Sequence, residues 1–427
     1  MAEAAPAGAP SLFRKLAASL GPGLITAAVV LGPGSITMVS KAGAAHGYRL
    51  LWVILWAGLI MAAYTVMSAR IGTVTDKSIL STVAEHYGRW LAVIMGLCSF
   101  AVCTAFQAGD NSGVGASMQT IAQGLWPEAD GTMLTNVFSA GFTAVSLVLI
   151  LTAPNLYKAI ERLMTVLVGV MIVCFFANLF PAGPSLSGIA GGLVPSYRGA
   201  EDLKLIIPIT ATTFSVIACL YQGYMVQNKG WKLADYRKGV WDSVVGIAVL
   251  TGLSAVIMIT AAAVLNPRKV EVVSAAAMAG QLEPLLGRTA QYLFCIGLWG
   301  ASFSSLVANA IIGGGLLADS LGLGRRFEDR GVKACTVLVM IVGAVVAQFF
   351  GARPVALIAF AQGLTIVFVP VCALVILMLA NNRKVMGEHT NGWIQNLLGA
   401  AGLATVTGLG AYQAWQFFAS LAKPVGS

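Results

Sequence analysis

The stretch Leu31-Gly32-Pro33-Gly34-Ser35 lies between two apolar half-helices, Leu16–Val30 and Ile36–Gly43. Proline removes an amide donor and clashes with the preceding helical turn, while the flanking glycines admit backbone angles a helix forbids. The helix is therefore expected to break here. Freed backbone groups at membrane depth are tolerated only where protein or a polar cavity satisfies them. The break is read as the wall of a site.

The rest of the chain supports a membrane setting. Of its 427 residues, 58% are hydrophobic and only 10% charged, and the mean hydropathy is +0.83. Soluble domains carry about 25% charge. Apolar runs long enough to cross a bilayer, about 20 residues each, recur from end to end. Eleven transmembrane helices are expected, at residues 16–45 (interrupted), 50–70, 89–124, 133–152, 160–181, 205–228 (interrupted), 240–265, 288–318, 333–351, 354–380 and 394–421. The fold class is an all-α membrane protein. Residues 1–12 read as a disordered tail, and the first apolar run as a retained helix, since no clear cleavage site follows it.

The net charge of +9 resides in short loops, too sparse for a nucleic-acid surface. The positive-inside rule explains it better. With the N-terminus in the cytoplasm, 17 of the 26 Lys and Arg residues face inward and 9 outward, which leaves the C-terminus outside. A bacterial inner (plasma) membrane is the expected location. The seven cysteines form no CxxC pair or zinc spacing, and His46, His86 and His389 are far apart at span ends. No metal cluster, catalytic triad or phosphate loop is present. The chain is expected not to be an enzyme and to need no cofactor; its expected partners are a small-molecule or ion substrate and the lipid bilayer, with no nucleic acid, and the oligomeric state is left open, a monomer included.

Five spans recur at an offset of roughly 190–200 residues, with interrupted spans 1 and 6 at equivalent places. An odd number of spans per copy inverts the second copy in the membrane. The expected organisation is a 5+5 inverted repeat, residues 13–181 and 182–385, with an extra eleventh helix in 386–427. This plan is common among secondary transporters.

In span 6, Leu220-Tyr221-Gln222-Gly223 contains the one strong helix breaker, Gly223, so the second interruption is expected there. Asp110 is the single acidic residue deep within a span, in a polar island of span 3. Buried carboxylates commonly mark ion paths or proton relays. Gln362 in span 10 and the serines Ser302, Ser304 and Ser305 in span 8 interrupt otherwise apolar helices. Serine there also serves helix packing.

Taken in order, several motifs resemble the Nramp family of proton-coupled divalent-metal transporters. Gly21-Pro22-Gly23-Leu24 resembles that family's opening GPGL. Gly47-Tyr48 with Leu51-Trp52-Val53 keeps its GY…LWV spacing, and Ala69-Arg70-Ile71-Gly72-Thr73-Val74-Thr75 is similar to its ARLGIVT. Glu161-Arg162 with Val166-Leu167-Val168-Gly169 resembles its fifth helix, and Glu283-Pro284-Leu285-Leu286-Gly287 leading to Ser304-Ser305 its eighth. Arg383-Lys384-Val385-Met386-Gly387-Glu388 resembles the segment after its tenth. The resemblance runs from about residue 21 to 400 and implies a LeuT-type fold.

The departures fall on the chemistry. The family's metal-binding Asp-Pro-Gly-Asn corresponds to Gly32-Pro33-Gly34-Ser35, and its sixth-helix Met-Pro-His is placed on Leu220-Tyr221-Gln222. Asp110 resembles an acid of the third helix, a neighbouring glutamate of which falls on Gly113, and Gln362 resembles a glutamine that reaches the metal. First-row divalent metals need N, S or anionic O ligands, so no residue is assigned here as a metal ligand. A glycine-rich break with free amides suits an anionic group. The leading expectation is a secondary transporter of a small carboxylate-bearing organic solute, coupled to protons or sodium. Gly32, Pro33, Gly34, Ser35, Leu220, Tyr221, Gln222, Gly223 and Gln362 would hold the substrate, and Asp110, Ser304 and Ser305 would serve the coupling ion. The alternatives are a divalent metal transporter (Mn, Fe or Mg type) with an altered site, or a non-transporting membrane receptor.

Overall fold

A computed structural model describes residues 31–75, 77–152, 154–350 and 353–421. The expected tail, the GPGL motif and the half-helix Leu16–Val30 lie outside the described residues. Fourteen helices of nine residues or more are present and no strand occurs among the described residues. In chain order they are α1 Pro33–His46, α2 Leu51–Val74, α3 Ile79–Tyr87, α4 Arg89–Leu125, α5 Gly131–Thr152 and α6 Pro154–Ala182. The second half contains α7 Ala200–Thr213, α8 Val216–Asn228, α9 Tyr236–Val264, α10 Ala290–Leu321, α11 Arg330–Phe349, α12 Pro354–Thr365, α13 Val369–Asn381 and α14 Trp393–Leu421. Among the described residues, eight spans are long and apolar enough to cross a membrane, or nine with the bent pair α12–α13. The spans coincide with the apolar runs because a helix satisfies its own backbone in lipid.

Two groups of helices pack within themselves. One contains α1, α2, α7, α8 and α9; the other contains α4, α5, α10 and α11, with α4 against α10 as its most extensive contact. Small residues let these backbones approach. A Cβ on Gly72 of α2 would stand 2.5 Å from the carbonyl oxygen of Gly223 in α8 and 2.9 Å from its Cα.

Two expectations about breaks change. Span 10 is bent by 41° between α12 and α13; Pro370 sits in the first turn of α13, where it lacks an amide and disfavours helix just before it. Span 6 breaks at Phe214–Ser215, between α7 and α8, rather than at Tyr221–Gly223, which remains helical. No glycine or proline marks that point. Instead the fully buried Phe214 ring packs on Tyr64 of α2 at 5.0 Å between centroids, and Thr212 Oγ1 shares a 2.5 Å hydrogen bond with Ser35 Oγ. Gly223 is needed for close packing against α2, not for a turn.

Candidate functional site

Gly32 is the N-cap of α1, extended at φ −89° and ψ −172°, and Pro33 opens the helix where its missing amide matters least. Against this break lies a cavity of about 30 Å³, with room for roughly one or two water molecules. Its wall from α1 is Gly32, Gly34 and Ser35. From α4 come Cys103, Phe106 and Asp110, at spacings of three and four residues that share one helix face. The second break contributes Thr212, Ser215, Ile217 and Ala218; α10 contributes Ser305, Asn309 and Ile312, and α12 contributes Gln362.

Among the described residues, Asp110 is the one carboxylate in this wall. Its Oδ2 accepts a 2.7 Å hydrogen bond from Asn309 Nδ2, which orients the group. A Cβ added at Gly32 would stand 3.7 Å from Asp110 Oδ1 and 2.7 Å from Ser305 Oγ. The space that a side chain at position 32 would enter is thus shared by Ser305 and the Asp110 carboxylate. Gln362 fills the corresponding space over Gly34, where a Cβ would collide with its Nε2. The Gln362 side chain is buried, and its Oε1 accepts no hydrogen bond among the described residues. At Gly113 a Cβ would meet Ser302 Oγ and come within 2.8 Å of Pro33 Cβ. Packing of Pro33 on α4 therefore leaves no room for a larger residue there.

The structure brings Gly32, Gly34, Ser35, Asp110, Ser305 and Gln362 together, with Pro33 between two of them. It separates the rest. Leu220 is in the apolar core, Gln222 donates to Ser243 Oγ of α9 at 3.3 Å, and Tyr221 stacks on Tyr224 at 5.9 Å. Gly223 faces α2, and Ser304 is not among the lining residues. The expected register was displaced because it anchored on the visible glycine. Thr212, Ser215 and Asn309 were missed; Asn309 alone carried a signal, as a buried amide one turn past Ser305.

Among the described residues no group of three or more His, Cys, Asp or Glu gathers as a metal cage. At the end of the bundle where α1 finishes, Arg49 pairs with the buried Asp202 of α7, and the backbone amide of Arg198 also donates to that carboxylate at 2.8 Å. Together with Ser35–Thr212 this ties α1 to α7 at both ends.

A profile of the family described as "Natural resistance-associated macrophage protein-like" (Nramp) matches residues 23–416. The chain belongs to the Nramp family. It is 24% identical over 400 residues to the "Divalent metal cation transporter MntH" of Klebsiella pneumoniae, covering 92% of this chain and 93% of that protein. With the protein of the same name from Mycobacterium tuberculosis it shares 27% over 395 residues, 88% of this chain and 87% of the relative. Among solved structures, a manganese transporter of Eremococcus coleocola bound to an aromatic bis-isothiourea compound superposes with a TM-score of 0.75 at 18% identity, covering 97% of this chain and 90% of that one. A mutant form of the same protein gives 0.74 at 17% identity, with 99% and 91% covered. These likenesses show the fold, a LeuT-type helical bundle.

As an Nramp member the chain is an integral membrane transporter and not an enzyme. The expectation of a carboxylate-bearing organic solute is overturned, because the Nramp relatives it matches are divalent metal cation transporters by name. Two features of the cavity agree with this correction. A volume of about 30 Å³ is small for an organic acid, and the acidic Asp110 in its wall disfavours a second carboxylate beside it.

Proposed function

We propose that this chain carries divalent cations across the membrane through the cavity between the two helix breaks, with Asp110 as the charged ligand. The observation that carries the reading is the Asp110 carboxylate, held by Asn309 in an ion-sized cavity against Gly32. Gln362 Oε1 supplies a second, unpartnered oxygen, and the Ser35, Ser215 and Ser305 hydroxyls line the remainder. The C-terminal end of α7, at Thr212, borders the same point, and the negative end of a helix dipole favours a cation there. Apart from Cys103 the donors are oxygen atoms, which suits a hard cation that keeps part of its water. The loop charges support an N-terminus on the cytoplasmic side of a bacterial plasma membrane.

The test is uptake of manganese, magnesium and cadmium into liposomes containing the purified protein, followed with a divalent-sensitive dye. Flux of at least one of them, saturable and absent from empty liposomes, is expected. No flux of any, with correctly inserted protein, would sink the proposal.

Restoring the usual acid is expected to fail by itself. Gly32→Asp drives its Cβ into Ser305 Oγ and sets a second carboxylate beside Asp110. The single variant should melt lower by several degrees. Gly32→Asp with Ser305→Gly should regain most of that stability and bind manganese at least about tenfold tighter, ~1.4 kcal/mol, by calorimetry. Equal melting of the single and double variants would show that the site relaxes around the clash.

A further inference from the structure

At the opposite end from the Arg49–Asp202 pair, a further carboxylate is buried: Asp319, in the last turn of α10 and 6% exposed. Three of its donors come from neighbouring segments. Ser78, the N-cap of α3, donates to Oδ2 at 2.5 Å; Ser81 of α3 donates to Oδ1 at 3.2 Å, as does Arg325 Nε of the following loop. Arg325 also donates to Ser81 Oγ at 2.5 Å. These groups hold the carboxylate in place. The fourth donor is different: Tyr224 of α8 reaches Oδ2 at 2.6 Å.

That bond crosses between the two groups of helices. α8 packs along α2 through Gly72 and Gly223, whereas its contact with α10 is thin. The N-cap Ser215 and the first-turn residues Ile217 and Ala218 of α8 line the cavity, and Tyr224 lies about two turns further on. One short helix thus runs from the cavity to Asp319. Beyond it, Gln227 Nε2 donates to the carbonyls of Thr75 and Lys77 at 2.9 and 2.8 Å, which keeps α8 with the end of α2. A polar contact of this kind exchanges readily for water, unlike the close-packed α2–α8 seam.

We propose that the Tyr224–Asp319 hydrogen bond is a latch that closes the cavity toward the Arg325 end of the molecule, and that its release lets α8, moving with α2, part from α10. The inference rests on the chain being a transporter but not on which ion it carries.

Cys103 lines the cavity and serves as the reporter. In protein retaining Cys103 as its sole cysteine, Tyr224→Phe removes the crossing bond and leaves the other three donors of Asp319 in place. A membrane-impermeant methanethiosulfonate, applied to each side of sealed vesicles, should label Cys103 at least about tenfold faster from the Arg325 side than in the parent, with the rate from the other side unchanged. Asp319→Asn should move the rate in the same direction. An unchanged rate in Tyr224→Phe overturns the proposal, and so does equal acceleration from both sides, which would indicate general loosening. The assay needs no cargo, so absence of divalent flux would remove the proposed function and leave the latch standing.

Discussion

Asp110→Asn should weaken divalent-cation binding at least about a hundredfold, ~2.8 kcal/mol, and reduce liposome flux to background. The substitution keeps size and shape, and the new amide oxygen still accepts the hydrogen bond that Asn309 donates. Packing is therefore little disturbed, and thermal unfolding in detergent should shift by less than a few degrees. What is lost is the one carboxylate in the cavity wall among the described residues. A divalent cation leaving water for a low-dielectric interior carries a desolvation penalty that neutral oxygens offset only in part. Calorimetric titration of both proteins at matched ionic strength reads the difference directly. Unchanged affinity would show that the ion binds away from Asp110.

Gly72→Ala is expected to lower stability by about 1–3 kcal/mol, the usual cost of overpacking. The added Cβ would stand 2.5 Å from the Gly223 carbonyl oxygen, 2.9 Å from its Cα and 3.1 Å from its carbonyl carbon. These are backbone atoms, so no rotamer change relieves the contact; α2 and α8 must separate. Gly252→Ala in α9 is the control, because a Cβ there meets nothing within 4 Å. That variant should melt at or slightly above the parent, since alanine favours helix over glycine. Gly72→Ala with Gly223→Ala should deviate from additivity because the two residues share one contact. Equal melting of Gly72→Ala and Gly252→Ala would show that the seam yields freely.

The fold was legible because a bilayer imposes length and polarity on every span. The runs expected at 89–124 and 133–152 match Arg89–Leu125 and Gly131–Thr152 within two residues. The first turning point, the start of α1 at Gly32-Pro33, was legible because proline carries its constraint in its own ring. The second was not. Phe214 and Ser215 have no intrinsic reason to leave the helix; contacts distant in sequence, Phe214 on Tyr64 and Thr212 with Ser35, hold the chain there.

The same division holds for the site. Gly32, Ser35, Asp110 and Gln362 could be named from one-dimensional signals: a breaker, or a polar group in an apolar helix. Their relation could not. Asp110 read as a relay apart from the break, and only the packing of α4 and α10 against α1 sets its carboxylate beside Gly32. A carboxylate absent from one helix is present on another that packs against it. Composition and periodicity decide that helices span and where the chain cannot remain helical, since these depend on neighbours in sequence. Which side chains share a 30 Å³ cavity depends on contacts between helices, and those exist only once the bundle is assembled.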